Sequence, residues 1–294
     1  MKIRKIRRKE PQIICSTWQS LYKLPKKEFE GYDVVIGDEA HNFKAKSLTS
    51  IMTKLCDAKY RFGFTGTLDG TETHKWILEG LFGPSYKLSN TSDLIEQGYL
   101  AELDIKILLL KHQHRRFNTY NEEIEYLIGH SERNKFIKNL SLELKGNTLV
   151  LYNRVETHGK LIYDLINSDE RVGSKKVFFI HGGIDVKERE EAREIAEREN
   201  NAIIVASYGT FSTGINIKNL SNIVFASPSK SRIRNLQSIG RGLRKTNTKT
   251  KAKLYDISDD IKDNYTLGHL MERIKIYNQE NFNYKIINIT LKNE

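Results

Sequence analysis

The 294-residue sequence predicts an α/β fold of two parallel-sheet domains, and three observations lead there. Short apolar runs rich in β-branched residues alternate with segments of helical period, the pattern of strands covered by helices. Several runs close on small or polar residues, as Val34-Val35-Ile36-Gly37 closes on Asp38-Glu39-Ala40-His41. The length is also sufficient for two cores, with 38% of the residues hydrophobic.

Taken in order, Met1 to Pro11 is a charged lead with six Lys or Arg, a solvated tail or a DNA-touching arm. It lacks the apolar stretch of a signal peptide. Gln12 to Ser16 reads as a short buried strand, and Thr17 as a helix cap that also offers a donor to phosphate. Asp33 to Ile36 suits a strand buried on both faces of a parallel sheet. A helix pattern follows around Leu48 to Leu55, then a strand-like Arg61 to Phe64 ending in Thr65-Gly66-Thr67. Trp76 to Phe82 reads as a helix stopped by Gly83-Pro84. Leu94 to Gly98 reads as a short helix with its terminal glycine, leading into a strand at Leu103 to Leu110. From Lys111 to Gly129 the periodicity dissolves, which places the domain boundary there: 1–112 and 113–294.

In the second part, Ser131 is positioned to cap a helix carrying Phe136, Ile137, Leu140 and Leu144 on one face. Strands follow at Thr148–Tyr152, Lys176–Ile180, Ala202–Ala206 and Asn222–Ala226, and helices at His158–Ile166 and Lys187–Glu199. The latter is dense in charge and reads as a solvated face. The last helix, near Leu267 to Tyr277, carries Leu267, Leu270, Met271 and Ile274 on one side as core.

Lys plus Arg exceed Asp plus Glu by 48 to 37, so the net charge is +11 and the pI about 9.4. That balance favours a polyanionic partner. Nine Lys or Arg and no acidic residue lie between Pro228 and Lys253, which makes Lys230, Arg232, Arg234, Lys249 and Lys251 candidates for phosphate contact. Two cysteines, Cys15 and Cys56, are too few for a disulfide framework and fit a reducing cytoplasm. The longest local apolar run, Ile107 to Leu110, is far short of a membrane span.

Ligands of parallel sheets gather beyond the carboxyl ends of the strands, where Asp38 and Glu39 would emerge. One carboxylate can hold Mg²⁺ through water, and its neighbour can orient an attacking water. A strand followed by an acidic helix start would look the same. Arg241 and Arg244, three apart, would share one face if their segment is helical, able to clamp a terminal phosphate or to form a basic surface.

With these segments assembled, the chain resembles the superfamily 2 helicases. Asp38-Glu39-Ala40-His41 is similar to their motif II, Thr65-Gly66-Thr67 to motif III, Ser207 through Asn216 to motif V, and Gln237 through Arg244 to motif VI. Thr17 to Leu21, Leu149 to Asn153 and His181-Gly182-Gly183 stand where further motifs belong. Within the superfamily the sequence resembles the UvsW-like DNA helicases of T-even-type phages, most densely at Ile204–Leu220 and Leu236–Lys245, and again at Phe282–Tyr284. The resemblance implies two RecA-like domains with a nucleotide cleft between them, ATP and Mg²⁺ as cofactors, and branched DNA or DNA–RNA hybrids as partners. It implies a motor of recombination, replication and repair. Asp38 would hold the metal, Glu39 the water, and Arg241 and Arg244 would complete the site. Gly214 and Asn216 would line the nucleotide, His41, Thr65, Thr67 and Gln237 would couple motifs, and Thr17, Gly182 and Ser207 would touch nucleic acid, with Lys230, Arg232 and Arg234 adding phosphate contacts.

One departure stands out. The 294 residues contain no Gly-x₄-Gly-Lys-Ser/Thr phosphate loop. The chain is therefore expected to be the C-terminal part of a helicase with its first domain incomplete, through a split gene, a late start or a decayed copy. A separate N-terminal helicase fragment is then a possible partner. A non-hydrolysing nucleic-acid-binding subunit and a translocase subunit of a restriction system are the alternative functions.

Overall fold

The computed structural model describes residues 13–214, 217–245, 249–262 and 264–291. The chain divides into two compact units, residues 1–86 and 87–294.

In the first unit, β1 (Val34–Gly37) and β2 (Tyr60–Gly63) run parallel, with Val34 opposite Tyr60 and Gly37 opposite Gly63. A short helix α1 (Trp18–Leu21) precedes them, α2 (Lys46–Lys54) connects them, and α3 (Glu72–Phe82) follows. Strand side chains alternate between faces, and among the described residues of this unit only one face is covered. Val35 packs with Phe29, Phe43, Leu48, Ile51, Met52 and Leu78. Gly37 and Gly63 let Phe43 and Phe82 press on this face, since a Cβ at Gly37 would lie 2.8 Å from the Phe43 ring and one at Gly63 3.0 Å from the Phe82 ring. On the opposite face Val34, Ile36, Tyr60 and Phe62 are 48%, 65%, 59% and 48% exposed. The expectation of a strand buried on both faces is thus corrected. Residues 13–17 form no strand, and Ile13 and Ile14 are exposed, because β1 and β2 pair only with each other among the described residues.

The second unit is a seven-stranded parallel sheet of order β5-β6-β4-β7-β8-β3-β9. Its strands are β3 (Glu102–Lys111), β4 (Asn147–Tyr152), β5 (Val177–Ile180), β6 (Ile203–Ser207), β7 (Leu220–Phe225), β8 (Lys251–Asp260) and β9 (Tyr284–Thr290). Its helices are α4 (Thr91–Glu96), α5 (Tyr120–Gly129), α6 (Ser131–Glu143), α7 (Lys160–Asn167), α8 (Val186–Arg198), α9 (Tyr208–Gly214), α10 (Arg232–Gly242) and α11 (Tyr265–Gln279). Alternate residues of the central strands feed two cores. Leu149, Leu151, Ile204, Ile223 and Leu254 pack with Phe211, Ile239, Leu270 and Tyr277 on one side. Val150, Val205, Val224 and Ile257 pack with Ile137, Ile162 and Ile166 on the other.

Three features depart from the sequence reading. Strand β3, placed there in residues 1–112, lies inside the second unit's sheet between β8 and β9. Helix α5 occupies part of the stretch read as aperiodic; its Glu123 is buried and accepts from the Tyr265 and Thr266 backbone N–H groups at 2.7 and 2.8 Å, capping α11. The cap of α6 is His130, whose Nδ1 accepts from Arg133 N at 3.4 Å, not Ser131.

Candidate functional site

Asp38 and Glu39 emerge, exposed, where β1 ends. Glu39 takes φ 49°, ψ 49°, the left-handed region that costs a non-glycine residue roughly 1–2 kcal/mol. The turn is tied down by neighbours: Glu39 N donates to Asp38 Oδ1 at 2.9 Å, and Ala40 N donates to Phe64 O at 2.8 Å. The turn thereby aims the Glu39 carboxylate at His41, whose Nδ1 is 3.2 Å from Glu39 Oε2.

His41 is buried and links two motifs, its Nδ1 standing 2.9 Å from Thr65 Oγ1. The Thr65 hydroxyl donates to Thr67 O at 3.0 Å, so its oxygen is left to accept, and His41 Nδ1 is the donor shared by Thr65 and Glu39. Burial lowers the His41 pKa, against the opposing pull of Glu39. Thr67 N donates back to Thr65 Oγ1 at 3.3 Å. The sequence reading missed the next layer. His74 Nε2 donates to the His41 carbonyl at 2.8 Å, and its Nδ1 lies 2.8 Å from Asp69 Oδ1. Asp69 Oδ2 accepts from Lys44 Nζ at 2.8 Å. Burial pushes the Asp69 carboxyl up, but bonds from Lys44, Thr71 and His74 outweigh it and hold the group well below the usual carboxylate range. No motif marks these residues in sequence. Thr17 caps no backbone group of α1; its hydroxyl is 3.2 Å from Ser20 Oγ, and it is exposed.

In the second unit, Ser207 ends β6 and turns the chain into α9. Its hydroxyl accepts from Thr210 N at 3.2 Å and donates to Thr210 Oγ1 at 2.8 Å. Gly182, after the neighbouring β5, is exposed, and a Cβ there would lie 3.7 Å from Thr210 Oγ1, so the two motifs meet. Gly214 ends α9, while Asn216 lies outside the described residues.

Helix α10 is capped by Ser231, whose hydroxyl accepts from Arg234 N at 3.4 Å. It carries Arg232, exposed Arg234, and half-buried Gln237 and Arg241, the Arg241 guanidinium lying 5.5 Å from the centre of the Phe211 ring. Lys230 is exposed just ahead of it. The helix ends at Gly242, which packs so closely on β7 that a Cβ would lie 2.4 Å from Ile223 Cδ1. Arg244 is therefore not on the same helical face as Arg241. It lies beyond the helix, exposed, bridged to Leu100 by backbone. Two members of the basic run have partners within the unit. Lys249 is buried and donates to the Gly242 carbonyl, and burial lowers its pKa to about 8. Lys251 pairs with Glu102 at 2.8 Å.

Two parallel αβ units, with an Asp-Glu-Ala-His turn closing β1 and a glycine-arginine helix after β7, define a RecA-like helicase core, and the chain belongs to the superfamily 2 helicases. Residues 131–246 match the helicase conserved C-terminal domain, and residues 2–70 match the family described as type III restriction enzyme, res subunit. Among individual proteins, the ATP-dependent DNA helicase uvsW of Enterobacteria phage T4 is 36% identical over 95% of this chain and 59% of its own length. A protein of Acanthamoeba polyphaga mimivirus named as an ATP-dependent RNA helicase is 27% identical over 89% of this chain and 50% of its own. The chain thus spans little more than half the length of these relatives. The crystal structure of T4 UvsW matches 94% of this chain and 57% of that one at 33% identity, with a TM-score of 0.55. A fragment of an HsdR-type subunit from Vibrio vulnificus, 19% identical with a TM-score of 0.65 over 90% of this chain, shares the fold. No described helix is long and apolar enough to cross a membrane.

Proposed function

We propose that the chain works as an ATP-driven DNA helicase or branch-migration motor, or as part of one, on branched DNA or DNA–RNA hybrids. The observation that carries the reading is the Glu39–His41–Thr65 contact, which joins a strained carboxylate to a threonine turn on the next strand. Such a link transmits the state of the carboxylate across the sheet edge. A surface acidic turn with no partner to inform has no use for it.

Asp38 has the chemistry for Mg²⁺ held through water. It is exposed, one oxygen is engaged by the Glu39 N–H, and this ion takes few carboxylates, most of its remaining ligands being water and phosphate. When bound, the ion neutralises charge on the transferring phosphoryl group. Glu39 would orient the attacking water, held in place by His41. Arg241 and Arg244 would stabilise charge on the nucleotide, with Gln237, Gly214 and Asn216 beside it. Thr65 and Thr67 would pass the nucleotide state to the strand grip. Thr17, Gly182 and Ser207, with Lys230, Arg232 and Arg234, would hold nucleic acid through its phosphates, contacts that carry little sequence information and suit a motor.

The test uses the chain together with a helicase N-terminal segment carrying a phosphate loop, fused or separate. Glu39→Gln and Arg244→Ala should each lower DNA-stimulated ATP turnover at least about 100-fold, on the scale of lost transition-state charge stabilisation. DNA affinity should stay within about twofold. Unchanged turnover with weakened DNA binding in Arg244→Ala would reassign that arginine to the nucleic-acid surface. The competing reading is a non-hydrolysing nucleic-acid-binding subunit. It requires that no added segment elicits turnover.

A further inference from the structure

The arginine helix α10 starts from the turn Ala226–Ser229, and that turn is gripped from both faces of the sheet by buried ion pairs. On one face, Arg273 of α11 donates to Asp256 Oδ2 at 2.8 Å, to Ser258 Oγ at 2.7 Å and to the Ser229 carbonyl at 2.9 Å. Tyr277 donates to the same Asp256 oxygen at 2.7 Å. On the other face, Arg133 of α6 donates to both oxygens of Asp259 at 2.8 and 3.0 Å and to the Ala226 carbonyl at 2.9 Å. All four charged side chains are shut off from solvent. Asp256 and Asp259 are three apart on β8, so the strand's alternation sends them to opposite faces. Each arginine thereby reaches the same short turn from its own side.

Buried ion pairs are poor devices for stability alone, because removing two charges from water offsets most of their attraction. Packed apolar residues would hold β8 to its helices as well. What apolar residues cannot supply is a directed bond to a particular carbonyl, and here each pair supplies one. Ser227, inside the turn, is fixed too, its hydroxyl lying 2.9 Å from buried His158 Nδ1 and accepting from Asn153 N at 3.1 Å. The far end of the helix is held the same way, by buried Lys249 on the Gly242 carbonyl.

We propose that Asp256 and Asp259, acting through Arg273 and Arg133, are positioning residues that set where α10 presents Gln237 and Arg241. The inference rests on the proposed role of that helix in the ATP site. It predicts that the pairs hold one element, not the whole unit, in place.

Amide hydrogen exchange on the 294-residue chain tests this, because it reads position and order without any turnover. Asp256→Asn should speed exchange of the α10 amides about tenfold or more, while the amides of β4 and β6 keep their wild-type protection. Tyr277→Phe removes one hydroxyl from the Asp256 cluster at constant shape and supplies a folded variant if Asp256→Asn does not fold. It should speed α10 roughly tenfold to a hundredfold, the value of one hydrogen bond to a charged group. Uniform acceleration over the whole second unit in Tyr277→Phe would make the pairs ordinary core and overturn the proposal, as would unchanged exchange in α10. In the turnover assay with a phosphate-loop segment, Tyr277→Phe should lower kcat and leave the DNA concentration for half-maximal stimulation unchanged. If Arg241→Ala and Arg244→Ala both leave turnover intact, the ATP-site reading of the helix fails, while the local exchange result still decides whether the pairs hold α10.

Discussion

His158 sits with no exposed surface between the Ser227 hydroxyl and the Arg133–Asp259 pair, and this placement sets its titration. Burial, helped by the Arg133 charge and opposed by Asp259, lowers its pKa to about 3. An unfolded histidine titrates near 6.5. Between those values the unfolded chain binds a proton that the folded chain refuses, so stability rises with pH in this window and is lost as pH falls through it. The slope from one such group is about 1.4 kcal/mol per pH unit. Buried carboxylates act lower down. Burial raises Asp259, but Arg133 and His112 overcome it and hold the group at about 2, so its contribution is lost as pH falls from the ordinary value of 3.8 through about 2. Urea unfolding between pH 6.5 and 5 therefore isolates histidines, and His158→Gln should remove about one proton from the measured linkage there. An unchanged slope would mean that His158 is solvated in the native state. At this scale the sequence marked Asp38, Glu39 and His41 because their motif is contiguous, and Thr65 through its own contiguous Thr-Gly-Thr turn. Asp69 and His74, which support them, were illegible, since a lone Asp and a lone His in a polar stretch carry no pattern until folding brings them together.

Elements were legible where their pattern came from solvent-free packing. The strands β4, β6 and β7 are apolar runs and lie where the periodicity places them, within a residue or two. Strand β8 was missed because both its faces are buried and carry polar letters, Asp256 and Ser258 on one and Asp259 on the other, whose partners are distant in sequence. Strand β9 was missed because it is an edge with most residues exposed, and α11 buries Arg273 while Met271, read as core, is 54% exposed. The basic run from Pro228 to Lys253 also divides by element. Lys230 and Arg234 flank the start of α10 and are exposed, whereas Lys249 is buried under the helix end and Lys251 is paired with Glu102 on β3. Removing Lys230 and Arg234 together should reduce the magnitude of the log–log salt slope of DNA binding by about 1.4–1.8, the value for two phosphate contacts. Removing Lys251 should leave the slope unchanged. A slope that responds to Lys251 and not to Lys230 and Arg234 would move the nucleic-acid path off the start of α10.

For the whole molecule, the two units differ in how completely their sheets are covered. The second has cores on both faces of its sheet, as a parallel sheet requires. Among its described residues the first has a core on one face, and the other presents Val34, Ile36, Tyr60 and Phe62, 48–65% exposed. A bare apolar face of this kind promotes self-association. A polypeptide of these 294 residues should therefore bind a hydrophobic dye and associate with itself, and Ile36→Lys should reduce both by placing a charge in the middle of the face. The same polypeptide should bind nucleic acid yet turn over negligible ATP, because phosphoryl transfer depends on positioning and charge stabilisation, and its sequence holds no phosphate loop to work with Asp38 and Glu39. Adding a helicase segment that carries strands and a phosphate loop should cover the face, quench the dye signal and restore DNA-stimulated turnover in one step. Ile36→Lys should block that rescue, and Glu39→Gln should abolish turnover without affecting the quench. Robust turnover from the 294 residues alone, sensitive to Glu39→Gln, would overturn this account and demand a phosphate site built from other residues of the chain.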